Sequence, residues 1–407
     1  MAHPPQHVQC RRASFATVSL VVSAALLAAL LAAHVASAAS RCGSHAWLAA
    51  ATERLAAAGV SLPPAAATQD MCRRVHEFTS ACLLLSGEVV PTAAPPTSLA
   101  EHVWRGATQL WSSLAGAPPP ARLYERDVRD VLFAVTWGIV LYVLRGALMA
   151  TVLGPLARVL VKRPADASAR SMQRWHKSAT RFAEQSWILI LYTASFVLVC
   201  GVVRRQPFWP LKTEHFWIGY PHTTMDAAAK SLYLWEASNY LHQLIVVCVE
   251  ERRSDFAQMM FHHVLTLALI FGSYVTCFHR IGLMILFLLD PSDILLAAAK
   301  LLRYMGYQTL CDCAFALFML TWLVERHGLF SIVYYSSLVE APALLQFVEH
   351  ADLAAGNFMT ITSYWVFNGL LGLLQVILLI WCSMILGVAY RVLTNAGAVD
   401  SRSDDSE

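Results

Sequence analysis

The sequence has little charge and few of the features that organise a soluble or secreted protein. Charged residues occupy 14% of the 407 positions, against roughly 25% in an average soluble protein. The net charge is only +3, and no basic stretch alternates with aromatic residues on a polar background, which excludes a typical nucleic-acid surface. The ten cysteines are scattered, which excludes a disulfide scaffold. The absence of any Asn-x-Ser/Thr sequon leaves N-glycosylation without an acceptor site.

Hydrophobic residues make up 57% of the chain and are concentrated in long blocks. A helix needs about 20 mostly apolar residues to cross about 30 Å of hydrocarbon. The blocks predict an all-α, polytopic membrane helix bundle with about eight (seven to eight) transmembrane helices, because Leu329 to Val348 could be an interfacial or re-entrant piece rather than a span. The eight predicted spans are Phe15–Ala38, Val131–Leu153, Trp187–Val203, Ala228–Val249, Met259–Cys277, Ile281–Leu302, Thr309–Val324 and Tyr364–Tyr390.

The positive-inside rule predicts the orientation of the bundle. Seven Lys or Arg residues lie between 158 and 181, after the second span, and placing this loop in the cytosol puts both termini there. The first span could instead be a signal peptide, since Ala36-Ser37-Ala38 fits a cleavage site. The predicted segments are a cytosolic N-terminus and first anchor (1–40), a luminal Pro-rich segment (41–128), a span with the basic cytosolic loop (129–180), the catalytic domain (181–393) and an acidic disordered cytosolic tail (394–407).

Ionisable residues inside the predicted spans are the candidates for function, because such residues are costly in a membrane and usually face a polar interior. Glu236 lies in the fourth span, His262 and His263 open the fifth, and Asp290 and Asp293 lie in the sixth. Neighbouring helical positions point about 100° apart, so only one of the two histidines can face a substrate directly. The alternative is a pair of interfacial histidines near a helix end.

The segment Asp290-Pro291-Ser292-Asp293 supports two interpretations. A spacing of three puts both carboxylates on one helix face. The same residues also resemble an N-cap followed by proline, in which case a broken helix restarts in the middle of the membrane. Both interpretations indicate a polar interior site.

Histidines beside aspartates indicate acid–base chemistry. A carboxylate that accepts a hydrogen bond from one imidazole nitrogen raises the basicity of the other nitrogen, which can then deprotonate an amine or hydroxyl. An imidazole can also take up an acyl group itself. A di-iron lipid oxidase is disfavoured because it needs several spaced histidine boxes, and the sequence has only one His-His pair.

An ordered set of motifs between Arg181 and Leu393 resembles the TLC domain of ceramide synthases. Leu289 departs from the pattern of many animal members, which carry a histidine before the first Asp. The matching motifs are Arg181-Phe-Ala-Glu-Gln-Ser-Trp187, Trp217-Ile-Gly-Tyr-Pro221, Glu236-Ala-Ser-Asn-Tyr240, Arg252-Arg253-Ser-Asp-Phe256, His262-His263-Val-Leu-Thr266, Arg280-Ile-Gly282, Asp290-Pro-Ser-Asp293 and Phe367-Asn-Gly-Leu-Leu-Gly-Leu-Leu-Gln375.

The resemblance implies a sphingoid base N-acyltransferase of the endoplasmic reticulum membrane. Acyl-CoA would be a co-substrate, with no bound cofactor or metal, and the product would be ceramide or dihydroceramide. His262 and His263 would act as base or transient acyl carrier, and Asp290 and Asp293 would orient and polarise. Arg252 and Arg253 could attract the CoA phosphates.

The implied partners are the lipid bilayer and the two substrates, with a possible homo- or heterodimer and no nucleic acid. The alternative function is a non-enzymatic TLC-domain membrane protein, either translocation-associated or lipid-sensing. The paired histidines with the downstream aspartates favour the enzyme.

Overall fold

The computed structural model describes residues 20–34, 65–86, 123–166, 168–250, 255–353 and 355–394. Over these ranges the chain is almost entirely helical, and one short antiparallel pair of strands, β1 (Leu123–Glu125) and β2 (Thr224–Asp226), aligns Tyr124 with Met225. The helices are α1 (Leu20–His34), α2 (Ala65–Leu83), α3 (Asp130–Leu160), α4 (Ala169–Val203), α5 (Ala227–Val249), α6 (Phe256–Val275), α7 (His279–Met305), α8 (Gln308–Leu344) and α9 (Ile361–Leu393).

Six helices in the described ranges are long and apolar enough to cross a membrane: α3, α4, α6, α7, α8 and α9. The predicted helical membrane bundle is therefore confirmed, but the predicted count of eight spans is not. The fourth predicted span forms helix α5, whose interior charges Lys230 and Glu236 lower its hydropathy. Helix α1 has 15 described residues, fewer than a span needs, and the rest of the first predicted span lies outside the described ranges.

Helix α8 corrects the prediction for residues 309–348. The sequence predicted a short span ending at Val324 and a separate interfacial or re-entrant piece after it. The structure instead continues one helical run from Gln308 to Leu344, and two π-helical turns, Leu323–Leu329 and Ser336–Glu340, interrupt its α-helical geometry. The break was predicted because the polar triplet 325–327 resembles a loop in sequence, although the backbone stays helical through it.

The described chain divides into two compact units, residues 1–143 with 224–239 and residues 144–223 with 240–407. The first unit is organised around the buried side chain of Lys230. Its ammonium donates to the carbonyls of Ser86 (2.6 Å) and Glu125 (2.7 Å) and pairs with the carboxylate of Asp130 at 2.9 Å. Both side chains of this ion pair are buried, so α5, α3, β1 and the segment after α2 are joined by one satisfied cation.

The second unit is a helix bundle in which α7 packs against α4, α6 and α8, while α9 packs against α6 and α8. Helix α4 begins at Ser168, whose side chain accepts from the backbone N–H of Ser171. Helix α7 ends at Gly306, which adopts a left-handed conformation (φ 85°) that lets its own N–H and that of Tyr307 bond the last carbonyls.

The connection between α4 and β2 is tied to the end of α8. Trp217 donates its indole N–H to Ser336 at 2.8 Å, and Ser336 donates to Glu340 at 2.7 Å. Thr213 donates to the same carboxylate at 3.0 Å. His222 is buried in this connection, with Nε2 3.1 Å from the carbonyl oxygen of Phe216. The Trp217–Pro221 motif therefore lies in a hydrogen-bonded loop of the second unit.

Candidate active site

A cavity of about 230 Å³ lies among α3, α4, α5, α6 and α7 in the second unit. Much of its wall is apolar, with Trp187, Leu191 and Val246 among the lining side chains. Charged groups line another part: Arg145, Glu184, Glu250, Asp255 and Lys300. An elongated apolar molecule with a charged end would find complementary groups here.

The predicted histidine pair lies in the second turn of α6. His263 is buried, with 2% of its surface exposed, and lines the cavity, whereas its half-buried neighbour His262 does not. Their ring centroids are 5.4 Å apart. His262 packs edge-to-face with Trp381 of α9, with ring centroids 5.0 Å apart. The ring centroids of His263 and Tyr240 are 6.1 Å apart. The two rings therefore have different surroundings, as expected for adjacent helical positions.

Both histidines have a buried imidazole nitrogen that makes no hydrogen bond within the described residues. In His262 and in His263 this atom is Nδ1. A buried polar atom is normally satisfied in a folded protein. At His263 this nitrogen belongs to a cavity-lining ring, so a bound substrate can supply the missing partner.

The structure of the aspartate motif contradicts one of its two sequence interpretations, the N-cap of a helix that restarts in mid-membrane. Helix α7 runs without interruption from His279 to Met305 and carries Pro291 in its interior, so no helix restarts at Asp290. The N-cap interpretation is wrong because the preceding turns of the helix continue through the proline, at the cost of the hydrogen bond that its missing N–H would donate. Asp290 is 2% exposed, while Asp293 is 29% exposed and lines the cavity.

The structure thus places two of the four predicted catalytic residues, His263 and Asp293, on the wall of one cavity. His262 and Asp290 lie one and three positions away from them in the chain, on the same two helices. Glu236, the remaining ionisable candidate, is buried in the first unit, 3.5 Å from the side-chain amide of Asn239. Arg252 and Arg253, predicted to meet the CoA phosphates, lie outside the described residues.

The sequence candidates did not include several buried ionisable residues of the second unit, among them Arg145, His242 and Arg326. Arg145 forms an ion pair with Glu250, and both side chains line the cavity. His242 is 2% exposed, lines the cavity and packs edge-on to Trp187 with ring centroids 5.6 Å apart. Arg326 is 3% exposed and donates to Asp293.

The signal that would have found these residues is the one that identified the aspartates, an ionisable side chain within a hydrophobic helix. It failed for Arg326 because the seventh span was predicted to end at Val324, which placed the arginine in a loop. It failed for Arg145 because an arginine near a span end can also snorkel to the surface.

Comparison with known proteins agrees with the resemblance found in the motifs. Residues 181–387 match the TLC domain family. The sphingosine N-acyltransferase-like protein ALT7 of Alternaria alternata is 34% identical over 312 residues, which cover 70% of this chain and 69% of that protein. The sphingosine N-acyltransferase lag1 of Schizosaccharomyces pombe is 33% identical over 286 residues, 70% of each chain.

A more distant relative extends the similarity to animals. Ceramide synthase 4 of Bos taurus is 28% identical over 352 residues, which cover 75% of this chain and 85% of that protein. The family match includes the histidine pair, the aspartate motif and every cavity-lining residue except Arg145 of α3. On these matches, the chain belongs to the TLC domain family.

Proposed function

We propose that this protein is a ceramide synthase, which transfers a fatty acyl group from acyl-CoA to the amino group of a sphingoid base. The observation that carries the proposal is the cavity in which a buried histidine, His263, and a carboxylate, Asp293, meet an apolar wall. Relatives named sphingosine N-acyltransferase and ceramide synthase support the same reaction. The product is ceramide or dihydroceramide, depending on the base.

The reaction needs a base, because an alkyl ammonium ion has no lone pair with which to attack a thioester. The ammonium first releases one proton to solvent. In the proposed mechanism the neutral amine nitrogen then attacks the acyl carbonyl carbon, and His263 accepts the second proton that the nitrogen loses. The carbon–sulfur bond breaks, the CoA thiolate leaves, and the imidazolium returns the proton to it. Asp293 lines the same cavity, and its carboxylate is the proposed partner of the imidazolium.

A two-step route uses the same groups. His263 attacks the thioester, CoA leaves, and the amine then attacks the acyl-imidazole. The two routes differ in one observable, because only the second forms an acylated enzyme when acyl-CoA is supplied without the sphingoid base. Asp290 and His262 would support the reacting pair from the same two helices in either route.

The cavity has apolar and charged lining residues, as the two proposed substrates have apolar chains and charged groups. The side chains of Trp187, Leu191 and Val246 offer an apolar surface for an alkyl chain. Lys300 is a cation at the polar part and is the proposed contact for a phosphate there, since Arg145 is already paired with Glu250. The proposed CoA role of Arg252 and Arg253 rests on their charge and their place in the chain between Glu250 and Asp255, which both line the cavity.

We further propose an endoplasmic reticulum protein of eight spans with both termini in the cytosol. The two spans beyond the six apolar helices would be α5, which at 23 residues is about 34 Å long, and the segment that contains α1. A homo- or heterodimer with related subunits is part of the proposal. Scanning cysteine accessibility from each side of the membrane in the loops on either side of α5 tests the topology.

The experiment that tests the function uses membranes from a host that lacks its own ceramide synthase activity. Sphinganine and a series of acyl-CoA chain lengths are added, and dihydroceramide is measured by mass spectrometry. We expect chain-length-dependent product only when the protein is present. A correctly inserted protein that gives no product with any chain length would instead support the non-enzymatic alternative, a translocation-associated or lipid-sensing membrane protein.

A further inference from the structure

The π-helical turn Leu323–Leu329 places three consecutive ionisable residues, Glu325, Arg326 and His327, inside a helix long and apolar enough to span a membrane. π-Helical turns are rare and occur often at functional sites. Arg326 is the buried member of the triplet, at 3% exposure. A charge buried at this depth is costly unless it is paired, so its partners indicate why it is there.

Among the described residues, the hydrogen-bond acceptors of Arg326 belong to one turn of α7. Nη2 donates to Oδ2 of Asp293 and to the carbonyl oxygen of Leu289, each at 2.7 Å, and Nε donates to Oγ of Ser292 at 2.9 Å. The guanidinium carbon lies 4.2 Å from the ring centroid of Trp322. The planar guanidinium is therefore held on one side by an aromatic face and at its edge by the aspartate motif.

This contact determines the orientation of Asp293. Its side chain is 29% exposed, so without a partner it would be free to sample several rotamers. The hydrogen bond engages Oδ2, and among the described residues no hydrogen bond to Oδ1 is found. One oxygen is thus held by α8 while the other is available on the wall that also carries His263.

We propose that Arg326 is a positioning residue for acyl transfer, which acts by holding the Asp293 carboxylate in the orientation that serves His263. The inference rests on the proposed function. Arg326 does not line the cavity and would act only through Asp293. A purely structural tie between α7 and α8 is the competing explanation of the same contacts, and it predicts a loss of folded protein rather than of turnover.

The test compares Arg326→Gln, Arg326→Lys, Asp293→Asn and the double variant Arg326→Gln/Asp293→Asn, with Arg303→Gln as the control. Arg303 is an exposed arginine in the last turn of α7. For each variant, kcat and KM for sphinganine and palmitoyl-CoA are measured per amount of folded, membrane-inserted protein.

We expect Arg326→Gln to lower kcat about 10- to 100-fold with KM values within about threefold of the wild type, because a misplaced catalytic group costs turnover more than binding. Arg326→Lys keeps the charge and should restore part of kcat. If Arg326 acts through Asp293, the double variant should have a kcat less than about twofold below that of Asp293→Asn alone. Arg303→Gln should behave as the wild type.

The inference is overturned if Arg326→Gln keeps the wild-type kcat, if its effect multiplies fully with that of Asp293→Asn, or if only the amount of folded protein falls. An inactive wild type would refute the proposed function, and this inference with it. An active wild type with an active Arg326→Gln variant would refute the inference alone.

Discussion

The guanidinium of Arg326 lies 2.7 Å from Oδ2 of Asp293 and links the π-helical turn of α8 to the cavity-lining face of α7. His263 reaches the same cavity from α6. Two helices thus supply an imidazole and a carboxylate to one cavity, and a third holds the carboxylate, although these residues are up to 63 positions apart in the chain, from 263 to 326.

Substituting Asp293 by Asn should abolish most turnover per inserted protein. The amide keeps the size of the side chain but removes the negative charge that favours a protonated histidine, and such contributions are commonly about 100-fold or more. Asp290→Asn should also lose activity. Rates per inserted protein are compared with those of Asp312→Asn, which changes an exposed aspartate of α8. If both variants lower only the abundance of the protein, their role is structural.

Enlarging Ala297 should shorten the acyl chains that the enzyme accepts. Ala297 is 1% exposed and lines the cavity, so Ala297→Leu adds three carbons to the wall. We expect activity with the longest accepted acyl-CoA to fall about tenfold, in keeping with about 1–3 kcal/mol for overpacking, and activity with shorter chains to fall less. The control is Ala298→Leu, next along the helix and not a lining residue. An unchanged chain-length profile would place the acyl chain elsewhere.

Removing the cation of Lys230 should destabilise the first unit. Lys230→Met removes the cation that pairs with the buried carboxylate of Asp130 and donates to the carbonyls of Ser86 and Glu125, and breaking a buried ion pair costs about 3–5 kcal/mol. The apparent Tm of the detergent-solubilised protein measures the effect, with the exposed Lys177→Met as control. The double variant Lys230→Met/Asp130→Leu should recover part of the loss. Equal Tm values for Lys230→Met and wild type would contradict this account.

His222 should contribute to acid sensitivity. Burial, and secondarily the positive charge of Arg280, lower the pKa of His222 to about 4, and the hydrogen bond to Phe216 opposes this only in part. The unfolded state therefore binds more protons between pH 6.5 and 4, so this contribution is complete above pH 6.5 and is lost as the pH falls towards 4. His222→Gln should reduce the loss of stability between pH 7.5 and 5.

The expected difference at pH 5 is about 1–2 kcal/mol, allowing for solvent screening. Apparent Tm at the two pH values measures it, and His350→Gln serves as the control because the His350 side chain is 89% exposed. A drop in Tm that is the same in the wild type and in His222→Gln would show that other groups account for the acid sensitivity.

The long apolar blocks predicted the helices well, because a helix that crosses hydrocarbon must consist of mostly apolar residues. The predicted span Ile281–Leu302 falls within α7, His279–Met305. The prediction failed where polar residues lie inside a helix. Asp290-Pro291 and the triplet at 325–327 both resemble breaks, yet α7 and α8 continue through them, and Arg326 of α8 bonds Ser292 and Asp293 of α7 beside the proline.

In the candidate site too, features of one helix were predicted from the sequence and contacts between helices were not. His263 and Asp293 were identified because ionisable groups in apolar helices are rare, and the cavity brings them to one wall. Arg326 was missed because its partner lies 33 positions away, and a contact between helices cannot be read from the spacing within one of them. Lys230 was missed for a similar reason, since its acceptors come from three separate segments.

The most direct test of the account is the formation of dihydroceramide from sphinganine and acyl-CoA by membranes that contain wild-type protein, His263→Ala or the control His176→Ala. His176 is an exposed histidine of α4 and should be dispensable. The account predicts product with wild type and His176→Ala, and a loss of at least about 100-fold in His263→Ala at equal amounts of inserted protein. Wild-type turnover in His263→Ala would contradict it.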